Sequence, residues 1–270
     1  MKHYIIGLLA AILLLLPCKG FGETPSTKQI IEWRRAATQD NATAQYNLGV
    51  AYDHGEGVSQ SYAEALKWYR LAADQGYASA QYRLGLIYNK GYGVLQNYAE
   101  ALKWYRLAAD QGDAKAQYNI GWIYYKGEGM PQNYAEAIKW IRLAAQQGGA
   151  EAQWHLGVMY DRGFGVPQNY AEAIKWLRLA AQQGFAQAQF NLGFMYDNGQ
   201  GVRQDYVKAI KWYRLAAQQG FANAQFNLGL MFGKGQGVPD NYAEALKWFR
   251  LAAKQGNAEA QNALKSLGEH

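Results

Sequence analysis

Residues 78–113 read ASAQYRLGLIYNKGYGVLQNYAEALKWYRLAADQGD, and this stretch decides how the chain folds. Ala80, Gln81, Leu84, Ile87 and Tyr88 recur at i, i+3, i+4 and i+7, which predicts a helix over Ala78–Tyr88 with one inward face. Gly85 lies at the edge of that face, where a missing side chain lets a neighbouring helix come close. Gly91-Tyr92-Gly93-Val94 ends the helix, because glycine accepts the left-handed backbone of a C-cap. Asn97 caps a second helix, and Glu100 three residues on completes a capping-box-like pair; Ser61 and Glu64 repeat the device one unit earlier. The second helix presents Tyr98, Ala101, Trp104 or Tyr105, and Ala108 inward, and ends at Gly112.

The same unit recurs outward in both directions. Tryptophans at 68, 104, 140, 176, 212 and 248 are 36 residues apart, and the pairs Ala72-Ala73 to Ala252-Ala253 keep the same register. A fixed period of this size marks a solenoid of stacked supersecondary units. Six repeats follow, at 42–77, 78–113, 114–149, 150–185, 186–221 and 222–257. Lys28–Gln39 aligns with a second helix through Trp33 and Ala36-Ala37, and Ala258–Leu267 aligns with a first helix. Solenoid ends need atypical caps, so residues 23–41 and 258–270 each supply a single capping helix. No linker interrupts Thr27 to Leu267; the expected fold is all-α and continuous.

The pattern Ala-x-Ala-x-x-x-Leu-Gly-x-x-Tyr-x-x-Gly-x-Gly-Val, followed by Ala-x-x-Trp and Ala-Ala-x-x-Gly, resembles the Sel1-like repeat, a relative of the tetratricopeptide repeat with a longer inter-helix loop. Departures are few: Ile120 for leucine, Met130 for valine, Phe232 for tyrosine, and Val207-Lys208 for Ala-Glu. The resemblance implies a right-handed α/α superhelix acting as an adaptor, in a bacterial envelope or the endoplasmic reticulum pathway. It also covers exported relatives whose units are pinned by disulfides, and this chain lacks those cysteines.

Residues 1–22 have the three parts of a secretory signal peptide: Lys2, an apolar run from Tyr4 to Leu16, and small residues at Gly20 and Gly22. The run is shorter than the roughly 20 residues that span a bilayer. A retained anchor is the alternative, and lipidation at Cys18 fits poorly after Pro17. The chain is therefore expected to be exported and periplasmic, or secreted, or lumenal in a eukaryote. Cleavage after Gly22 removes Cys18, leaving no disulfide, and lowers the formal charge from +6 to nearer +4, with 25 basic and 21 acidic residues. That mild balance, spread along the repeats, does not imply nucleic acid.

Chemistry is sparse. From Gln81 to Lys265 there is no Ser, Thr or Cys, so a hydroxyl or thiol nucleophile is missing from most of the chain. His54 and His155 stand nearly three repeats apart and do not make a metal cluster. The Gly-x-Gly-Val loops lack a P-loop ending and recur as helix stops, so no cofactor is implied. Glu64, Glu100, Glu136, Glu172 and Glu244 have capping and Lys-pairing roles. Asp53, Asp161 and Asp197 are less constrained and leave open a glycan hydrolase working through paired carboxylates.

A partner would bind where the repeats differ. In the resembled family the first helices line the concave side. Position 82 is aromatic in every unit, which favours packing between repeats. Positions 83, 86 and 89 vary, and Arg83, Leu86, Asn119, Trp122, Tyr125, His155, Val158, Asn191, Phe194 and Asn227 are the candidate groove residues. Trp122 and Phe194 are the anchors, since interface hot spots favour large rings. The Lys67-to-Lys247 and Arg70-to-Arg250 series on the second helices reads as a solvated face that covers aromatic rings with its stems. The leading expectation is a non-catalytic adaptor for a protein or peptide, in envelope assembly, virulence or effector–immunity pairing.

Overall fold

A computed structural model describes residues 24–268. The expected signal peptide at 1–22 lies outside the described residues, as do the last two of the C-terminal segment. The described chain forms fourteen α-helices and no strand. Helix α1 spans Thr27–Ala37. The first helices of the six repeats are α2 Ala42–His54, α4 Ala78–Lys90, α6 Ala114–Lys126, α8 Ala150–Arg162, α10 Ala186–Asn198 and α12 Ala222–Lys234. The second helices are α3 Tyr62–Asp74, α5 Tyr98–Asp110, α7 Tyr134–Gln146, α9 Tyr170–Gln182, α11 Tyr206–Gln218 and α13 Tyr242–Lys254, and α14 Ala258–Ser266 closes the array. Each helix packs on its neighbours in sequence, and the first helix α4 also touches the next first helix, α6. This is the one-dimensional contact pattern of a solenoid.

Local chemistry sets every boundary. Gly91 takes φ 74°, and its N–H and that of Tyr92 both donate to the Ile87 carbonyl at 2.8 and 3.1 Å. The loop then folds back: the Asn97 N–H donates to the Tyr88 carbonyl at 2.8 Å, and Gln96 Nε2 to the Asn89 carbonyl at 2.7 Å. Asn97 Oδ1 accepts from the Glu100 N–H at 3.1 Å, as expected of an N-cap. The reciprocal half of the capping box does not form. The Asn97 N–H is already committed to Tyr88, and the Glu100 carboxylate pairs with Lys103 at 3.9 Å instead.

The core straddles the repeat boundaries. Ala101, Leu102, Tyr105, Ala108 and Ala109 of α5 pack with Ala116, Ile120 and Ile123 of α6, and the same arrangement recurs along the array. Both Trp104 and Tyr105 are buried, while Tyr98 remains half-buried. Gly85 faces the Tyr105 ring so closely that a Cβ would overlap it, which is why the position carries no side chain. At the ends, Ile30 and Ala37 of α1 pack on α2, and Ala260 of α14 joins the last cluster.

Two polar ladders tie the units together. Buried Gln81 donates from Nε2 to the Ala73 carbonyl of the preceding repeat at 3.1 Å. Equivalent bonds run from Gln45, Gln117, Gln153, Gln189 and Gln225. On the outside, Arg34, Arg70, Arg106, Arg142 and Arg178 each donate to a tyrosine hydroxyl of the next repeat: Tyr52, Tyr88, Tyr124, Tyr160 and Tyr196, at 2.8 to 3.4 Å. Much of the basic stripe therefore has partners within the fold.

Candidate interaction surface

The aromatic position equivalent to Tyr82 packs between repeats, as its uniformity predicts. Tyr46 lies 5.2 Å from Tyr77, Trp154 5.5 Å from Phe185, and Phe190 5.1 Å from Phe221. These rings glue one first helix to the turn that precedes the next.

The residue at position 89 depends on its partner in the second helix. The Tyr69 hydroxyl donates to Asp53 Oδ2 at 3.2 Å, the Asn89 amide reaches the Tyr105 hydroxyl at 3.4 Å, and Tyr213 donates to Asp197 at 3.3 Å. Where Ile141 or Leu177 replaces the tyrosine there is no phenol. Tyr125 then turns to other rings, and Asp161 accepts from Gln200 Nε2 at 2.9 Å and pairs with Arg162 at 3.4 Å. Burial raises the Asp161 and Asp197 carboxyls above the usual range, opposed at Asp161 by Arg162 and at Asp197 by Tyr213 and Lys234. All three aspartates of the hydrolase alternative thus have contacts inside the fold.

The candidate groove residues fall into distinct groups. Arg83 is half-buried and pairs with Asp53 of the preceding repeat at 3.7 Å. Beside it, Leu86 lines a cavity of about 310 Å³ with Asp53, His54, Tyr62 and Tyr92. Asn119 faces the Tyr82 phenol and Asn227 that of Tyr213, each amide opposing the rise that burial imposes on its phenol's pKa. Val158 on α8 and Asn191 on α10 are half-buried. Phe194 stands apart at 45% exposure.

Trp122, Tyr125 and His155 come together. Trp122 stacks on Tyr125 at 5.4 Å and 13°, His155 sits 4.7 Å from Trp122, and Tyr118 stacks on both, 6.3 Å from Trp122 and 5.7 Å from His155. Lys126 Nζ lies 4.9 Å over the Trp122 ring. Burial under these rings, helped by Lys126, lowers the His155 pKa to about 4, so the imidazole is neutral at pH 7. Tyr118 is pushed well up, by burial first and then by its contact with Glu151.

The ring cluster continues into residues that the sequence reading did not single out. Tyr125 contacts Phe164 at 6.1 Å, and Phe164 stacks on Tyr134 at 4.7 Å and 7°. Phe164 occupies the variable place in the Gly-x-Gly loop, elsewhere Glu56, Tyr92, Glu128, Gln200 and Gln236. That variation was the available signal. The arrangement offers flat apolar rings rimmed by a cation and amides, which suits side chains of a protein ligand. Among the described residues, no group of three or more His, Cys, Asp or Glu could hold a metal ion, and no helix is long and apolar enough to cross a membrane.

The Sel1 repeat model matches six times, over residues 42–77, 78–113, 114–149, 150–185, 186–221 and 222–257. Among solved structures, a protective antigen present in uropathogenic Escherichia coli, displaying an SLR fold, is 38% identical with a TM-score of 0.86. The match covers 89% of this chain and 52% of the antigen, so the chain spans about half the length of that relative. A Sel1 repeat protein from Oxalobacter formigenes is 35% identical with a TM-score of 0.70, covering 84% of this chain and 96% of the other. None of the curated proteins matches.

Proposed function

The chain belongs to the Sel1 repeat family, and from that premise we propose that it is an exported adaptor holding a protein or peptide against its first helices. Sel1-repeat proteins are generally protein-interaction scaffolds, so the coarse role follows from the fold; the surface and location are the finer reading. The observation that carries it is the ring cluster of Trp122, Tyr125 and His155 on α6 and α8, with exposed Phe194 on α10. Stacked helical hairpins satisfy most polar groups internally through the glutamine and arginine ladders. Large rings left at the surface are then the groups with most to gain from a partner.

Export rests on the leader-like composition of residues 1–22, and periplasmic residence is the corresponding location. The test is affinity capture from envelope extract with the purified chain, repeated with Phe194→Ala and Trp122→Ala. Truncating a hot-spot ring costs about 2 kcal/mol or more, roughly thirtyfold in affinity. A captured partner that both variants retain at the wild-type level would remove the reading. Release of peptidoglycan fragments by the pure chain, abolished in Asp161→Asn, would replace it with the hydrolase.

A further inference from the structure

Three departures from the repeat meet on α11. In other second helices the outward lysine has a glutamate partner three residues earlier: Lys67 with Glu64, Lys103 with Glu100, Lys139 with Glu136, Lys175 with Glu172 and Lys247 with Glu244. At 208 the glutamate is replaced by lysine. Lys208 turns to Asp205 at 2.9 Å, and Lys211 keeps no ion-pair partner among the described residues. The arginine ladder breaks at the same place. Phe232 replaces the tyrosine that would accept from Arg214, so this guanidinium also has no partner among the described residues. Helix α11 therefore carries three basic residues and no acid, against two of each in α5. Finally, Val207 stands 65% exposed where the other five repeats have alanine.

These departures converge on one cavity. A space of about 410 Å³ lies between α11 and the loop that follows α12, lined by Val207, Ile210, Leu215 and Val238 together with Lys211 and Arg214. Its volume falls in the range of ligand pockets, about 300–1,000 Å³. We propose that this groove docks an acidic, aliphatic peptide segment of a partner protein, whose carboxylates meet Lys211 and Arg214 and whose side chains enter the aliphatic lining. Charge complementarity argues for the carboxylates, because two cations released from internal partners face the same space. Arginine binds carboxylate in a bidentate fork, which adds direction to the charge. The lining argues against nucleic acid, which would need aromatic platforms and a longer basic track. The site is on a second helix, so it stands or falls separately from the first-helix surface.

The experiment measures anisotropy of a fluorescein-labelled hexapeptide of alternating glutamate and leucine, titrated with the full chain at low and physiological salt. Phe232→Tyr restores an acceptor for Arg214 and removes no contact of the fold; Lys208→Glu restores one for Lys211 and gives up only the exposed Lys208 contacts with Asp205 and the Tyr196 ring. Each is expected to weaken binding about tenfold, the scale of one hydrogen bond to a charged group. Arg214→Gln should weaken it as much, while Arg106→Gln, in an intact rung of the ladder, should leave it unchanged. A peptide with serine for leucine should bind about tenfold more weakly, from the lost apolar burial. Absence of saturable binding, equal binding of the serine peptide, wild-type affinity in both restored variants, or tighter binding of a single-stranded oligonucleotide would each overturn the proposal.

Discussion

Gln111 donates through Nε2 to Oε1 of Gln81 at 2.8 Å, joining the end of one second helix to the start of the first helix in the same repeat. Gln81 in turn donates to the Ala73 carbonyl, so one buried amide links two consecutive units. Gln81 is 4% exposed, and its bond to the Ala73 carbonyl is shut away from water. Gln81→Met keeps the volume and removes both bonds. The expected loss is about 1–2 kcal/mol of unfolding free energy, measured by urea denaturation. A loss below a few tenths would mean that the ladder is incidental to stability.

His155 makes stability depend on pH. Its ordinary value of 6.5 is lowered to about 4 in the folded chain. Between those values the unfolded chain takes up a proton that the folded one refuses, so stability falls as pH drops through the window. About 1.4 kcal/mol accrues per pH unit, for a total of up to about 3 kcal/mol. Denaturation curves at pH 7 and pH 4.5 should differ by an amount that His155→Gln reduces. An unchanged pH dependence in the variant would exclude His155 as its source.

Two glycines should respond oppositely to the same substitution. A Cβ at Gly193 would lie 2.5 Å from Tyr213 Cδ1, so Gly193→Ala forces the helices apart and is expected to cost about 1–3 kcal/mol. At Gly233 the nearest atom is Ala245 Cβ at 3.7 Å, ordinary contact distance. Gly233→Ala then gains helix propensity, by about 0.5 kcal/mol. Thermal melts of the two variants should move in opposite directions.

The sixth inter-helix loop lacks a clasp that the first five share. Gln60, Gln96, Gln132, Gln168 and Gln204 each donate to the carbonyl seven residues back, and Asp240, a carboxylate, cannot donate. Asp240→Gln should supply the missing bond to the Gly233 carbonyl and stabilise the chain by about 0.5–1.5 kcal/mol. Slower amide exchange in residues 235–241 is the measurement; exchange as in the wild type would count against it.

The repeat was legible because its signals are local. Glycine at Gly91, the cap at Asn97 and the apolar spacing of Leu84 and Ile87 act within a few residues, so boundaries and helix pairing follow from short stretches. The candidate surface was legible only in part. Variation at 83, 86 and 89 pointed to Trp122, Tyr125 and His155, which do meet, but it also raised Asn119 and Asn227, which face the Tyr82 and Tyr213 phenols of the scaffold. Nothing within the period separates an amide that faces a ligand from one that faces a phenol in another helix.

The 36-residue spacing alone determined an all-helical array, its six units and its end helices, since each unit carries its own stops and caps. Tertiary structure decided which exceptions matter. Phe232 and Lys208 are 24 residues apart in sequence and look like unrelated lapses. Stacking α11 beside α12 and the loop beyond it places the effect of both losses around one groove, because the acceptors missing for Lys211 and Arg214 belong to different helices, α11 and α12, and only packing brings those helices together.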